Sequence, residues 1–161
     1  NSAAILRFPH MHLDLVRAGI ILYGLWPSED LKACGADLRP VMTLKSAISH
    51  VKSVEPGSSL SYGRTYCTHE PAVIATIPAG YADGYFRVLG NRASVLHEKT
   101  GVEPGDSVVL FGGNCDKMPS ADEIAALAGT INYEVVCAVS RRVPRIFLKD
   151  GLVAETVNRL L

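Results

Sequence analysis

The most constraining feature of this chain is its punctuation: 14 glycines and 9 prolines cut 161 residues into short apolar runs. Short β-branched runs between turn signals are the sequence character of a β-rich domain. Residues 41–51, entered through Arg39-Pro40, read as one extended run, because Pro40 biases Arg39 away from helix. Glu55-Pro56-Gly57-Ser58 then forces a turn, since proline presets the first corner and glycine accepts positive φ at the second. The phrase returns as Glu103-Pro104-Gly105-Asp106, which predicts two similar corners. Residues 72–77 read as a strand buried on both faces, and residues 91–96 as a shorter strand. Residues 107–111 make another, closed by Gly112-Gly113, and residues 135–140 a further β-branched strand. Residues 145–148 and 152–157 are the last pair, turned by Asp150-Gly151. One helix is expected. In Pro119-Ser120-Ala121-Asp122-Glu123 the Ser120 hydroxyl and the Glu123 carboxylate satisfy each other's free backbone donors. Ile124, Leu127 and Ala128 recur at helical spacing, and Gly129 stops the run. The prediction is a mainly-β domain with a single short helix.

The first two dozen residues differ in character. Leu13 to Gly24 is a continuous apolar run interrupted by Arg17, as in a strand buried on both sides. A buried arginine is costly unless something anionic or hydrogen-bonding receives it. Its ordinary reading is a strand-end residue paired with a carboxylate.

Length and charge exclude several classes. A chain of this size is about one domain and buries roughly two thirds of its unfolded surface, so it needs no disulfide or metal staple. Lys plus Arg is 16 and Asp plus Glu is 16, with no basic run to displace the counterions of a nucleic acid. The longest apolar stretch, residues 18–26, is short of the roughly 20 residues a membrane span requires. Polar Asn1 and Ser2 followed by Arg7 do not make a signal peptide. No nucleic acid and no membrane are expected for this chain, and a cytoplasmic location is. Cys34, Cys67, Cys115 and Cys137 lack zinc spacing and read as reduced, small apolar residues of an intracellular protein. His10 and His12 share one face if extended, but two ligands make no site, and no metal is assigned.

Three tyrosine phrases carry the chemistry: Ser61-Tyr62-Gly63-Arg64-Thr65-Tyr66, Gly80-Tyr81-Ala82-Asp83-Gly84-Tyr85 and Gly129-Thr130-Ile131-Asn132-Tyr133-Glu134. Flanking glycines let the backbone turn sharply and present the phenol. Singly, each is more often a packed loop tyrosine. A tyrosine base is demanding, since its free pKa is about 10 and it needs a cation or donor nearby to favour phenolate.

These phrases, with Asn1-Ser2-Ala3-Ala4, Val16-Arg17-x-Gly19-Ile20, Tyr23-Gly24-Leu25 and Arg142-Val143-Pro144-Arg145, resemble the bacterial alanine racemases, which use pyridoxal phosphate (PLP). They fall in the family's order across nearly the whole chain. The resemblance implies a (β/α)8 PLP-binding barrel followed by an antiparallel, Greek-key or barrel-like C-terminal β domain. Residues 1–26 then correspond to the truncated end of the barrel, and residues 27–161 to the β domain. It implies a homodimer in which the β domain of one subunit completes the site in the barrel of the other. The reaction implied is interconversion of L- and D-alanine for peptidoglycan precursors, with a small amino acid as substrate. By the same resemblance Tyr62 is the catalytic acid/base on one face of the coenzyme-bound amino acid, and a lysine serves the opposite face. Two bases on opposite faces are what racemisation requires, because the proton leaves from one side and returns from the other. Arg17 matches the arginine that hydrogen-bonds the PLP pyridine nitrogen. It stays protonated, which leaves that nitrogen without a proton and the ring a weaker electron sink. Ser2, the backbone of Gly19 and Ile20, and Tyr133 match phosphate contacts, which suits a dianion met by hydroxyls and backbone N–H groups. Tyr81 and Arg87 match residues that line the way in for substrate.

Two departures set expectations. None of Lys32, Lys45, Lys52, Lys99, Lys117 and Lys149 sits in the family's PLP-lysine phrase, so this chain alone is expected to be inactive. After Leu96 the family continues through a Cys-Met-Asp-Gln segment that gives the substrate carboxylate a backbone donor. Here His97-Glu98-Lys99-Thr100 leads straight to Gly101-Val102-Glu103. The alternatives are a serine racemase of the same family, since an apolar pocket rejects an added hydroxyl poorly, or a non-catalytic β module for dimerisation or partner binding.

Overall fold

Strand identity in this chain is set by partner choice more than by run length. The computed structural model describes residues 1–64, 66–90, 95–96, 101–113 and 118–159, with backbone only at 62, 90, 95 and 96. In chain order the elements begin with α1 (Ser2–Arg7), β1 (Leu44–Ala47), β2 (His50–Val54), β3 (Ser59–Leu60) and β4 (Tyr66–Cys67). They continue with β5 (Ala72–Thr76), α2 (Arg87–Gly90), β6 (Val95–Leu96) and β7 (Ser107–Phe111). The last are α3 (Ala121–Ala128), α4 (Asn132–Ala138), β8 (Arg145–Lys149) and β9 (Leu152–Val157). Short 3-10 turns lie at Pro9–Met11, Ile20–Tyr23, Glu29–Cys34, Tyr62–Arg64 and Tyr81–Asp83. The sheets are small and antiparallel: β1 with β7, β2 with β5 with β6, β3 with β4, and β8 with β9.

The expected single strand over 41–51 is two strands. At Ile48 and Ser49 the chain leaves β7 and takes up β5, with the Ser49 N–H and hydroxyl both donating to the Thr76 carbonyl. A strand that changes sheets in this way makes a corner. Residues 72–77 were expected to be buried on both faces. Instead Ala72 and Ile74 are buried while Val73 and Ala75 are half-covered and Thr76 is exposed, so one face points to the core. The strand expected over 91–96 is described only at β6, its other residues lying outside the described set.

The two Pro-Gly corners form as read and dock alike. Ser58 N–H closes onto Glu55, and Asp106 N–H onto Glu103. The Gly57 N–H reaches the Thr68 carbonyl at 2.7 Å, and the Gly105 N–H the Ile48 carbonyl at 2.8 Å. Thr68, buried and polar, accepts the Ser58 N–H on its hydroxyl and donates to the Glu55 carbonyl at 2.8 Å.

The helix α3 forms as predicted. Ser120 Oγ accepts the Glu123 N–H at 3.1 Å, Glu123 Oε2 accepts the Ser120 N–H at 2.7 Å, and Gly129 takes the left-handed conformation that ends the helix. The expectation of a single short helix is corrected by α1, α2 and α4, so that several short helices stand beside the small sheets. Residues 135–140 were read as a strand on β-branched content, yet Asn132, Val135, Val136 and Val139 are buried at helical spacing. The 145–157 hairpin forms as read, with one bulge between Phe147 and Leu148.

The core joins both ends of the sequence. Ile20, Leu25, Leu44, Leu110 and Phe111 pack with Ile124, Val135, Val136 and Val139, while a smaller cluster holds Leu60, Ala72 and Ile74. The run from Leu13 to Gly24 is not the buried strand expected. Leu13 is 89% exposed and Leu15 84%, and Arg17 is exposed rather than buried. An apolar run records that something covers it, and the cover need not lie in the same segment. Its last part turns into the 3-10 element at Ile20–Tyr23, which buries Ile20 alone. Cys34, Cys67 and Cys137 are exposed, so they do not serve as apolar fill, and Cys115 lies outside the described residues. Among the described residues no helix is long and apolar enough to cross a membrane, and no three His, Cys, Asp or Glu side chains converge.

Candidate functional site

Three of the expected residues meet at the start of the chain. Asn1 caps α1 by accepting the Ala4 N–H on Oδ1 at 3.0 Å, which fixes Ser2 in the first turn. Ser2 is buried, and its Oγ accepts the Gly19 N–H at 2.9 Å. Gly19 opens the 3-10 turn whose first residue is Ile20. The first N–H groups of such a turn have no partner inside it. The Ser2 hydroxyl hydrogen and the N–H groups following Gly19 therefore form a compact donor set, which fits an oxyanion such as a phosphate. Arg17 lies two residues upstream, exposed, and makes no ion pair among the described residues. Among the described residues the carboxylate partner of the ordinary reading is therefore absent.

Tyr133 projects from the first turn of α4 and is partly exposed. The residue that places it was not singled out in the sequence. Asn132 is buried, and its Nδ2 donates to the Trp26 carbonyl at 2.9 Å and to Asp122 Oδ1 at 2.7 Å. One side chain thus ties α4 to α3 and to the segment that follows Ile20. The available signal was a polar residue in step with three buried valines. Thr130, just upstream, donates its hydroxyl to the Glu134 carboxylate.

Tyr62 lies on a different element, at the tip of the β3–β4 hairpin. The backbone around it is unusual: Ser61, Gly63 and Arg64 all have positive φ, at 65°, 74° and 52°. Two of these are not glycine, and such strain concentrates at functional positions. Thr68, also missed in the sequence, braces the base of this hairpin through Glu55 and Ser58.

Tyr81 and Arg87 belong to a third segment. Tyr81 is 66% exposed and opens the Tyr81–Asp83 turn, which Asp83 closes by accepting the Gly80 N–H at 2.9 Å. Arg87 begins α2 and is exposed. Tyr85 beside them is half-covered, and burial pushes its phenol above the ordinary range. The structure therefore joins Ser2 to Gly19, the neighbour of Ile20, links Tyr133 to that end of the chain through Asn132, and places Tyr62 on one hairpin and Tyr81 and Arg87 on another segment. A cavity of about 790 Å³ between residues 23–42 and the start of α3 is lined by Trp26, Met42, Phe111 and Asp122, and by none of the expected site residues. His10 and His12 sit at a 3-10 turn, where His12 Nε2 bonds the Ile5 carbonyl, so the shared strand face does not exist.

Known proteins align with this arrangement along its whole length. The family described as "Alanine racemase, C-terminal domain" matches residues 41–103 and 96–147. "Alanine racemase 1" of Clostridium acetobutylicum is 40% identical over 179 residues, covering 98% of this chain and 46% of its own length. The solved alanine racemase of Clostridium difficile 630 in complex with cycloserine is 41% identical with a TM-score of 0.86, covering 100% of this chain and 48% of that one. The alanine racemase of Bacillus anthracis with bound L-Ala-P is 38% identical with a TM-score of 0.88, covering 99% and 46%. The chain thus spans about half the length of the relatives it matches. An alignment of 179 residues is also longer than this 161-residue chain, so the relative carries residues with no counterpart here. The family match divides at 96–103, where the sequence departs from the family's phrase. With the domain matched over most of its length and the fold shared at this identity, the chain belongs to the alanine racemase family.

Proposed function

We propose that this chain is the C-terminal part of a PLP-dependent amino-acid racemase that interconverts L- and D-alanine as a homodimer. Alanine racemases are PLP-dependent isomerases, and the reading rests on one observation: this chain shares about two fifths of its residues with solved alanine racemases along its entire length. When bound, PLP supplies the electron sink that loosens the proton on the substrate α-carbon. Ser2, the Ile20 N–H and Tyr133 would hold its phosphate, while the Gly19 N–H, expected there too, is already given to the Ser2 hydroxyl. The bond from Gly19 to Ser2 aims the serine hydroxyl and leaves its hydrogen to donate. Arg17 meets the ring nitrogen, an assignment supported by its exposure and its lack of an ion-pair partner among the described residues. Tyr62, presented on a strained hairpin tip, moves the α-proton on one face, and Tyr81 and Arg87 line the approach. A lysine outside this chain serves the other face. The assignment of residues 1–26 to the barrel and 27–161 to the β domain belongs to the same proposal.

The test joins this chain to a barrel half carrying the PLP lysine, restores the residues missing after Leu96, and follows L-alanine by chiral chromatography. D-alanine is expected to accumulate to an equal mixture. No racemisation from the restored enzyme overturns the reading, and faster turnover of serine than alanine replaces it with the serine racemase. A second reading, a catalytically silent module, is favoured by the divided family match. It predicts that the joined protein folds and dimerises yet gains activity only when the missing residues are returned.

A further inference from the structure

Tyr133 is expected at the coenzyme phosphate, yet the cap of its own helix does little to fix it. Ile131 stands at the N-cap of α4 and makes no side-chain cap bond, where a serine or asparagine would ordinarily anchor the first turn. The Tyr133 side chain is partly exposed, and its hydroxyl has no partner among the described residues. The neighbouring Asn132 is buried and ties the turn down instead. Its amide nitrogen carries two hydrogens. One goes to the Trp26 carbonyl at 2.9 Å and the other to Asp122 Oδ1 at 2.7 Å.

The bond to Trp26 leads to the donor set around Ile20. Leu25, the residue before Trp26, returns its N–H to the Ile20 carbonyl at 3.4 Å, and the Gly24 N–H closes on the same 3-10 turn. Ile20 and Leu25 share one core cluster with Val135 and Val136 of α4. The start of α4 and the turn at Ile20 are thus connected by hydrogen bonds and by a common core, all within one chain. Tyr133 therefore keeps to the Gly19–Ile20 end of its own subunit. A hydrogen bond weakens steeply once its partner moves off line, so a small shift of α4 would be felt by anything Tyr133 holds. We propose that Asn132 is a positioning residue for the phosphate site: through the Trp26 carbonyl it keeps Tyr133 in register with the Ser2 and Ile20 donors. Its bond to Asp122 serves a different end, fastening α4 to α3. This inference rests on the racemase reading, which supplies the phosphate.

The experiment uses the complete polypeptide stripped of coenzyme. Equilibrium dialysis compares its affinity for PLP with that for pyridoxal, which lacks the phosphate. Asn132→Ala and the milder Asn132→Ser are expected to weaken PLP several-fold and pyridoxal hardly at all, with circular dichroism showing that both are folded. Asp122→Ala is expected to lower the melting temperature and leave the PLP-to-pyridoxal ratio alone. Adding Asn132→Ala to Tyr133→Phe is expected to weaken PLP no further than Tyr133→Phe by itself, because both act through one hydroxyl. An equal loss of both ligands, a ratio moved as far by Asp122→Ala, or additive losses in the double variant each overturn the proposal, since a merely stabilising residue would give them. If the unmutated polypeptide takes up no PLP, the racemase reading fails and the proposal with it. If it takes up PLP and the Asn132 variants leave the ratio fixed, only the proposal fails.

Discussion

The residues that brace the loops are as informative as those expected to react. Thr68 fills three hydrogen bonds under the Tyr62 hairpin while fully buried. Replacing it with valine keeps the shape but removes the hydroxyl's bonds, leaving the Ser58 N–H and the Glu55 carbonyl only their bonds within the turn, which costs about 0.5–1.5 kcal/mol. Urea denaturation is expected to show a lower midpoint with an unchanged slope. Glu123 gives a pH signature. It is held below its ordinary value of 4.5 because it accepts the Ser120 backbone N–H, with the Ser120 side chain adding to the effect. A lowered carboxyl stabilises the fold above 4.5, and that contribution is lost as the pH falls through the lowered value. Glu123→Gln is expected to flatten the acid side of the helical circular-dichroism profile. For Tyr62 the expected outcome concerns isotope rather than stability. In the restored enzyme Tyr62→Phe is expected to cut solvent deuterium incorporation at the α-carbon by at least the 10²–10⁴-fold of a lost acid/base. Undiminished incorporation from both enantiomers would clear Tyr62 of the role.

At the scale of elements, α3 and the β8–β9 hairpin were legible because their signals are local: a hydroxyl three residues before a carboxylate, and an Asp-Gly turn between alternating runs. Residues 132–139 were not, because their content and their spacing disagree. Two valines in succession favour a strand, whereas burial at 132, 135, 136 and 139 needs a helix, and packing against α3 decided between them. The corner at Ile48 was illegible for another reason, since a change of sheet partner leaves no mark in a continuous β-branched run. The Tyr62, Tyr81 and Tyr133 phrases were visible as glycine-flanked tyrosines, but Asn132 was hidden inside one of them. Asn132→Ala is expected to destabilise by about 1–3 kcal/mol, since it abandons the Trp26 carbonyl and Asp122. Because Asn132 anchors α4 to α3, thermal unfolding should also lose sharpness, with the α4 amides opening before those of α3 in hydrogen exchange.

For the molecule as a whole, the exposed Leu13 and Leu15 stand beside a chain that spans about half of its relatives. Apolar residues this open call for cover. This chain alone is expected to bind a hydrophobic dye such as ANS, and dye fluorescence should fall when a barrel half is supplied. Unchanged fluorescence would mean that the barrel does not lie on this surface. The second Pro-Gly corner bears on the divided family match in a different way. Its bonds are its own: Asp106 closes on Glu103 through main chain and carboxylate alike, and Gly105 latches onto Ile48. Whatever arrives from upstream is thus clipped into the sheet at a fixed point, and β7 begins in the same register whether that approach is long or short. Lengthening a loop adds only a slowly growing entropy penalty. The strand behind this latch therefore keeps its starting point whatever the length of the stretch ahead of it, so a change there falls on the site rather than on the sheet.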